Sequence, residues 1–295
     1  EKIVSPPSRH QSVAILAQAV LIEAARILLR LQMALQAAVV AHAPEFAVYV
    51  AAELAIFGLC LAFVRRHWPQ HKDPWSLADT IFSFGFFPFM TWFAMVATWS
   101  LHFDVELRWH GKNKESRFFC LLYVTRALMH VCVQCKQRIS SLHFALMTLH
   151  HILSVVCFGG GLLLASCQYW ACFAGCCEMS TIFLNNVYIL KEVTVGGKEL
   201  RQVVPKWLYV VNGVGLWISY LVFRMVLFPV WLYTWYKDVC TFPEATWERA
   251  SFVERYVYPG VLTFIFLLSV YWFVPVTKGL LKALGLLGGK DRKDE

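Results

Sequence analysis

Apolar residues in this chain come in long uninterrupted runs, not in the short alternations or amphipathic stripes of a water-soluble fold. Seven runs approach the roughly 20 residues that a helix needs to cross about 30 Å of hydrocarbon. They are Pro44 to Val64, Ser76 to Leu101, Ser116 to Cys135, Leu142 to Ala165, Gln168 to Leu190, Trp207 to Tyr236 and Tyr258 to Leu284. Each predicts a transmembrane helix. An eighth stretch, Gln11 to Leu31, carries Glu23, Arg26 and Arg30 among alanines and leucines. It can span, lie flat at the interface or pack on the bundle, and it counts as a span in the charge balance. The expected fold is all-α: a polytopic membrane protein, a bundle of seven or eight transmembrane helices around a lipid-sized, polar-lined cavity. Its expected divisions are an N-terminal helical segment over 1–43, a transmembrane domain over 44–285 and a charged cytoplasmic tail over 286–295.

Composition agrees with the pattern. Of 295 residues, 58% are hydrophobic and 16% are charged, against about 25% charged in soluble domains, so the chain lacks the polar surface to cover itself in water. Charge also orients it. With eight spans, sixteen lysines and arginines fall in loops on one side and seven on the other, a bias that predicts both termini in the cytoplasm. The net charge of +8 is then an orientation signal. No nucleic-acid partner is expected, because the basic residues sit in short loops between apolar runs. Most of the ten cysteines lie inside predicted spans and read as small apolar residues. Cys132 and Cys135 form a C-x-x-C and Cys172 and Cys176 share a helix face, yet neither pair has a second set at zinc-site spacing, so no metal is expected.

Ionisable and polar groups at bilayer depth are costly and usually face the bundle interior, so the few present are the candidates for chemistry. Arg126 and His130 stand at i and i+4 in the fourth span. His150 and His151 are adjacent near the middle of the fifth, with His143 one heptad before His150 and Ser154 one turn after it. Glu178, Thr181 and Asn185 share a stripe of the sixth, Asn212, Ser219 and Arg224 lie in the seventh, and Glu53 stands alone in the second. These stripes are expected to converge if the helices are neighbours, with Glu178 pairing with Arg126 or Arg224. Two adjacent histidines near mid-membrane are harder to explain by packing than one. His150 and His151 are therefore the candidate catalytic residues. Arg126, His130, Ser154, Glu178, Thr181, Asn185, Asn212 and Arg224 are the candidate substrate contacts. Lipid oxidases need more histidines, in boxes, than His130, His143, His150 and His151 provide.

These residues fall in motifs. The stretch His150-His151-Ile152-Leu153-Ser154, then Glu178-Met179-Ser180-Thr181-Ile182-Phe183-Leu184-Asn185, then Val211-Asn212-Gly213 and Phe223-Arg224-Met225 resembles the TLC domain. That domain is shared by translocation-associated membrane proteins, the ceramide synthases and a neuronal ceroid lipofuscinosis protein. The resemblance runs from Trp75 to Lys282 and looks closest to the small TLC-domain-containing proteins, not to ceramide synthases proper. It implies an endoplasmic-reticulum protein of lipid metabolism. In ceramide synthases the paired histidines, carried here by His150 and His151, move a fatty acyl group from acyl-CoA to a sphingoid amine. An imidazole serves there as general base or acyl carrier, while a second polar group steadies the carbonyl oxygen.

Acyl-CoA would be a substrate, no bound cofactor is implied, and the partners would be membrane lipids, a second copy of the chain or other membrane proteins. Two features depart from ceramide synthases: Phe158 to Trp170 holds no acidic residue, and Thr125 and Arg126 stand where family members often carry an acid. Arg126 then brings positive charge to the histidines unless Glu178 neutralises it. The alternative expectation is a non-enzymatic regulator of membrane-lipid homeostasis, or a lipid-binding or trafficking protein, using the same cavity. Arg292-Lys293-Asp294-Glu295 resembles a cytoplasmic dilysine-type retrieval signal.

Overall fold

Backbone N–H and C=O groups in hydrocarbon have no water to bond, so a long apolar run closes its hydrogen bonds within itself as a helix. A computed structural model describes residues 40–137 and 141–286 of this chain and shows that outcome throughout them. The stretch Gln11 to Leu31 and the charged tail lie outside the described residues. In chain order the helices are α1 (Val40–His67), α2 (Pro74–Leu101), α3 (Val105–His110), α4 (Lys114–Gln134) and α5 (Ser141–Leu163). They continue with α6 (Gln168–Gly175), α7 (Met179–Glu192), α8 (Leu200–Val203), α9 (Lys206–Tyr220), α10 (Leu227–Thr241) and α11 (Tyr258–Ala283). The only strands among the described residues are β1 (Thr194–Val195) and β2 (Lys198–Glu199), a short antiparallel hairpin. Its turn uses Gly196 and Gly197 at φ of +60° and +78°, where a side chain would be strained.

Two compact units are distinguished, Glu1–Ala47 and Val48–Glu295. Of the first, the described residues are Val40–Ala47, the opening turns of α1; everything below concerns the second. Six helical stretches among the described residues are long and apolar enough to cross a membrane: α1, α2, Val105–Gln134, α5, Lys206–Thr241 and Val253–Ala283. The chain is thus an all-α, multi-pass membrane protein. The predicted run from Gln168 to Leu190 is also helical, but it is divided. A tight 3₁₀ turn, Cys176–Glu178, joins α6 to α7. A wide π turn, Leu221–Val226, joins α9 to α10, and a second, Val253–Val257, leads into α11. Such irregular turns inside long helices often mark functional sites.

Helix starts follow local chemistry. Asp73 accepts a hydrogen bond from Ser76 N at 3.0 Å, and Pro74 opens α2. Asn113 and Ser116 cap each other at the head of α4. Phe57, Leu61 and Val64 of α1 pack on Leu77, Ala78 and Phe82 of α2 and on Met129 and Val133 of α4. Outward faces carry exposed Trp92, Trp99, Ile152, Val211, Ile218 and Tyr271, an apolar surface that suits lipid and not water.

Loops gather alternately at two ends. At one, Arg108 Nη2 meets Asp238 Oδ1 at 2.6 Å, Arg249 Nη1 meets Glu106 Oε1 at 2.8 Å, and Cys167 N donates to Trp109 O at 2.8 Å. Beneath this cap, Trp231 and Trp235 stack with centroids 4.8 Å apart, and Trp109 and Trp170 pack beside them. At the other end Trp68 Nε1 donates to Thr194 O at 2.9 Å, and His71 Nε2 lies 3.3 Å from Glu192 Oε2.

Candidate functional site

Most ionisable residues of the membrane interior fall in two clusters joined by a row of imidazoles. The first lies between α2, α4 and α5. Arg126 Nη2 donates to Asp79 Oδ1 and to Ser83 Oγ, each at 2.7 Å, and His130 Nδ1 lies 3.3 Å from Asp79 Oδ2. The guanidinium also lies 5.1 Å from the centre of the Phe82 ring. Asp79 therefore neutralises Arg126, not Glu178. Glu53, alone in its own span, is met from α4, where Thr125 Oγ1 donates to its Oε1 at 2.6 Å.

The second cluster is built by the two irregular turns. Glu178 ends the 3₁₀ turn and Arg224 sits in the π turn. Arg224 Nη2 lies 3.8 Å from Glu178 Oε2, Nε donates to Ser180 Oγ at 2.8 Å and Nη2 donates to Thr181 Oγ1 at 3.2 Å. Thr181 Oγ1 and the Tyr123 hydroxyl donate to Glu178, at 2.6 Å and 3.3 Å. Of the two partners expected for Glu178, the structure selects Arg224.

Between the clusters lie the adjacent histidines, and the helix turns them apart. The His151 ring faces His130, with centroids 4.6 Å apart, while His150 and His151 are 5.1 Å apart. His150 is 8% exposed and lines a cavity with Tyr123, Ser154 and Cys177. Nδ1 of His150 and both ring nitrogens of His151 are buried without a hydrogen-bond partner. Asn212 stands apart from both clusters, accepting from Asn186 Nδ2 at 2.9 Å and donating to Phe183 O at 3.1 Å. It ties α7 to α9. Asn185 is buried with its Nδ2 unpartnered, and Ser219 Oγ donates to Leu216 O at 3.0 Å.

The cavity is bounded by α4, α5, α6, α10 and α11 and is open at its mouth; about 580 Å³ of empty space lies in it and in the open solvent at that mouth together. Phe158, Trp170, Phe228, Trp231, Leu262 and Ile265 give it apolar walls. At its far end lie Cys167 and Tyr258. Burial, and the Glu254 carboxylate beside it, push the Cys167 thiol up, so the wall there is a neutral S–H.

A family model, the TLC domain, matches residues 39–278. The chain belongs to the TLC-domain family. Its function is accordingly membrane-lipid-related. No curated protein and no solved structure matches the chain. Within the TLC domain, the cluster residues that the sequence pattern missed are Asp79, Ser83, Tyr123 and Ser180. Asp79 lies three residues into its apolar run, where it reads as a helix-start carboxylate, and Tyr123 reads as one more aromatic filler. Asp79 was detectable as an acid inside a predicted span; nothing local marks Tyr123.

Proposed function

We propose that this TLC-domain protein takes a fatty acyl chain into the cavity between α4, α5, α6, α10 and α11 and transfers it, with His150 as general base. The observation that supports this is the meeting, in one cavity, of an aromatic and aliphatic wall with a buried imidazole whose Nδ1 has no partner. A lipid amine or hydroxyl would give its proton to His150 as it attacks the carbonyl carbon of an acyl thioester. The C–S bond then breaks, and the imidazolium returns the proton to the departing thiolate. Tyr123 lines the same space, and its hydroxyl, which donates to Glu178 at 3.3 Å, ties the cavity wall to the Glu178–Arg224 cluster. His151 packs its ring on His130 and is not among the residues that line the cavity.

Location in the endoplasmic reticulum, both termini in the cytoplasm and kinship with the small TLC-domain proteins are parts of this reading. A second reading, a non-enzymatic lipid-binding regulator, is favoured by one observation. No acceptor fixes His150 Nδ1, whereas a general base is usually oriented by a third group.

Mass spectrometry of the purified protein, intact and after lipid extraction, separates the two. If the transfer reading holds, wild type incubated with an acyl-CoA and a long-chain amine yields amide, and His150→Ala lowers the yield at least 100-fold, as loss of a general base does, while still co-purifying lipid. Bound lipid without turnover in either protein leaves the regulator reading.

A further inference from the structure

The cavity has polar groups at both ends, and only the end at His150 enters the chemistry above. At the other end Tyr258 and Trp170 line the same space; these residues are 6% and 1% exposed, and neither the Tyr258 hydroxyl nor Trp170 Nε1 has a hydrogen-bond partner. A buried donor left unpaired is disfavoured, and natural folds rarely leave two in one cavity. The position of the hydroxyl is set by α5: a Cβ added to Gly160 would lie 2.5 Å from it. Helix α5 is unbroken from Ser141 to Leu163, so the ten-residue step from His150 to Gly160 spans about 15 Å along the axis.

The chemistry of the far end selects its occupant. Trp170 can only donate, and Tyr258 can donate, so the matching group is an oxygen acceptor. Glu254, one turn before Tyr258, already accepts from Ser166 Oγ and from Ser251 N at 2.6 Å. Its carboxylate disfavours an anion there. We propose that the far end is a second subsite for an uncharged oxygen, a hydroxyl or carbonyl, carried at the distal end of the bound chain. The preferred lipid then has a polar group at both ends, joined by a medium-length apolar chain. This rests on the acyl-cavity reading and adds the recognition of the chain terminus.

The test is equilibrium binding of lauric acid and ω-hydroxylauric acid to the full-length purified protein, to Tyr258→Phe and to Trp170→Phe. Wild type is expected to bind the hydroxylated chain about tenfold more tightly, as two new hydrogen bonds predict. Tyr258→Phe, which removes no existing bond, should lose most of the preference, read as the ratio of the two affinities within each protein; Trp170→Phe should lose part of it. Equal affinities for the two probes in wild type would overturn the subsite while leaving the acyl cavity standing, the hydroxyl then being served by water. A preference that survives in Tyr258→Phe overturns it as well. If neither probe binds, the acyl-cavity reading fails and takes the subsite with it.

Discussion

At the scale of single residues, an ionised side chain inside the bilayer persists only with a partner, and the partner decides what the residue is free to do. Arg126 Nη2 is held by Asp79 and Ser83, while its Nε and Nη1 are buried without a hydrogen-bond partner. Arg224 is likewise engaged with Glu178, Ser180 and Thr181. Breaking one of these pairs strands a buried charge, at a cost of about 3–5 kcal/mol. Asp79→Leu is therefore expected to lower the thermal unfolding midpoint in detergent sharply, while Asp79→Leu combined with Arg126→Leu recovers much of the loss. A double variant as unstable as the sum of its singles would show that the pair is not what matters. The histidines follow the same logic in reverse: His150 lines the cavity and keeps one nitrogen without a partner, whereas His151 keeps two but faces His130.

At the scale of elements, the site depends on helices that depart from ideal pitch. The 3₁₀ turn at Cys176–Glu178 and the π turn at Leu221–Val226 shift the phase of the residues around them, and this brings Glu178 and Arg224 together on facing helices. Close approach matters equally. A Cβ on Gly175 would collide with the ring of Phe119, itself fully buried, so α6 can reach α4 only with glycine there. Gly175→Ala should cost about 1–3 kcal/mol by overpacking. Thermal unfolding of Gly175→Ala alone and with Phe119→Leu checks the cause, since the smaller ring-free side chain should restore part of the stability. On α9, a Cβ on Gly215 would lie 2.6 Å from Phe183 Cε1, which holds α9 to α7 by the same device.

At the scale of the whole molecule, loops sort to two ends, one tied by Arg108, Asp238, Glu106 and Arg249 and the other by Trp68, His71, Thr194 and Glu192. The excess of lysine and arginine lies at the second. Glycosylation acceptors inserted into each are expected to be modified between Thr241 and Ser251 and left bare in the hairpin at Thr194–Glu199; the reverse pattern would invert the orientation. Read without coordinates, the chain already shows the membrane class and six of the seven clear helical runs. Hydropathy and the cost of charge in lipid act residue by residue along the chain, so they can be read without coordinates. That Asp79 holds Arg126, that Glu178 takes Arg224 and that two neighbouring histidines have different surroundings emerges from the packing of the helices. Those outcomes rest on which helix faces meet and on local changes of helical pitch, where a shift of one residue rotates a side chain by about 100°, and no linear pattern records that rotation.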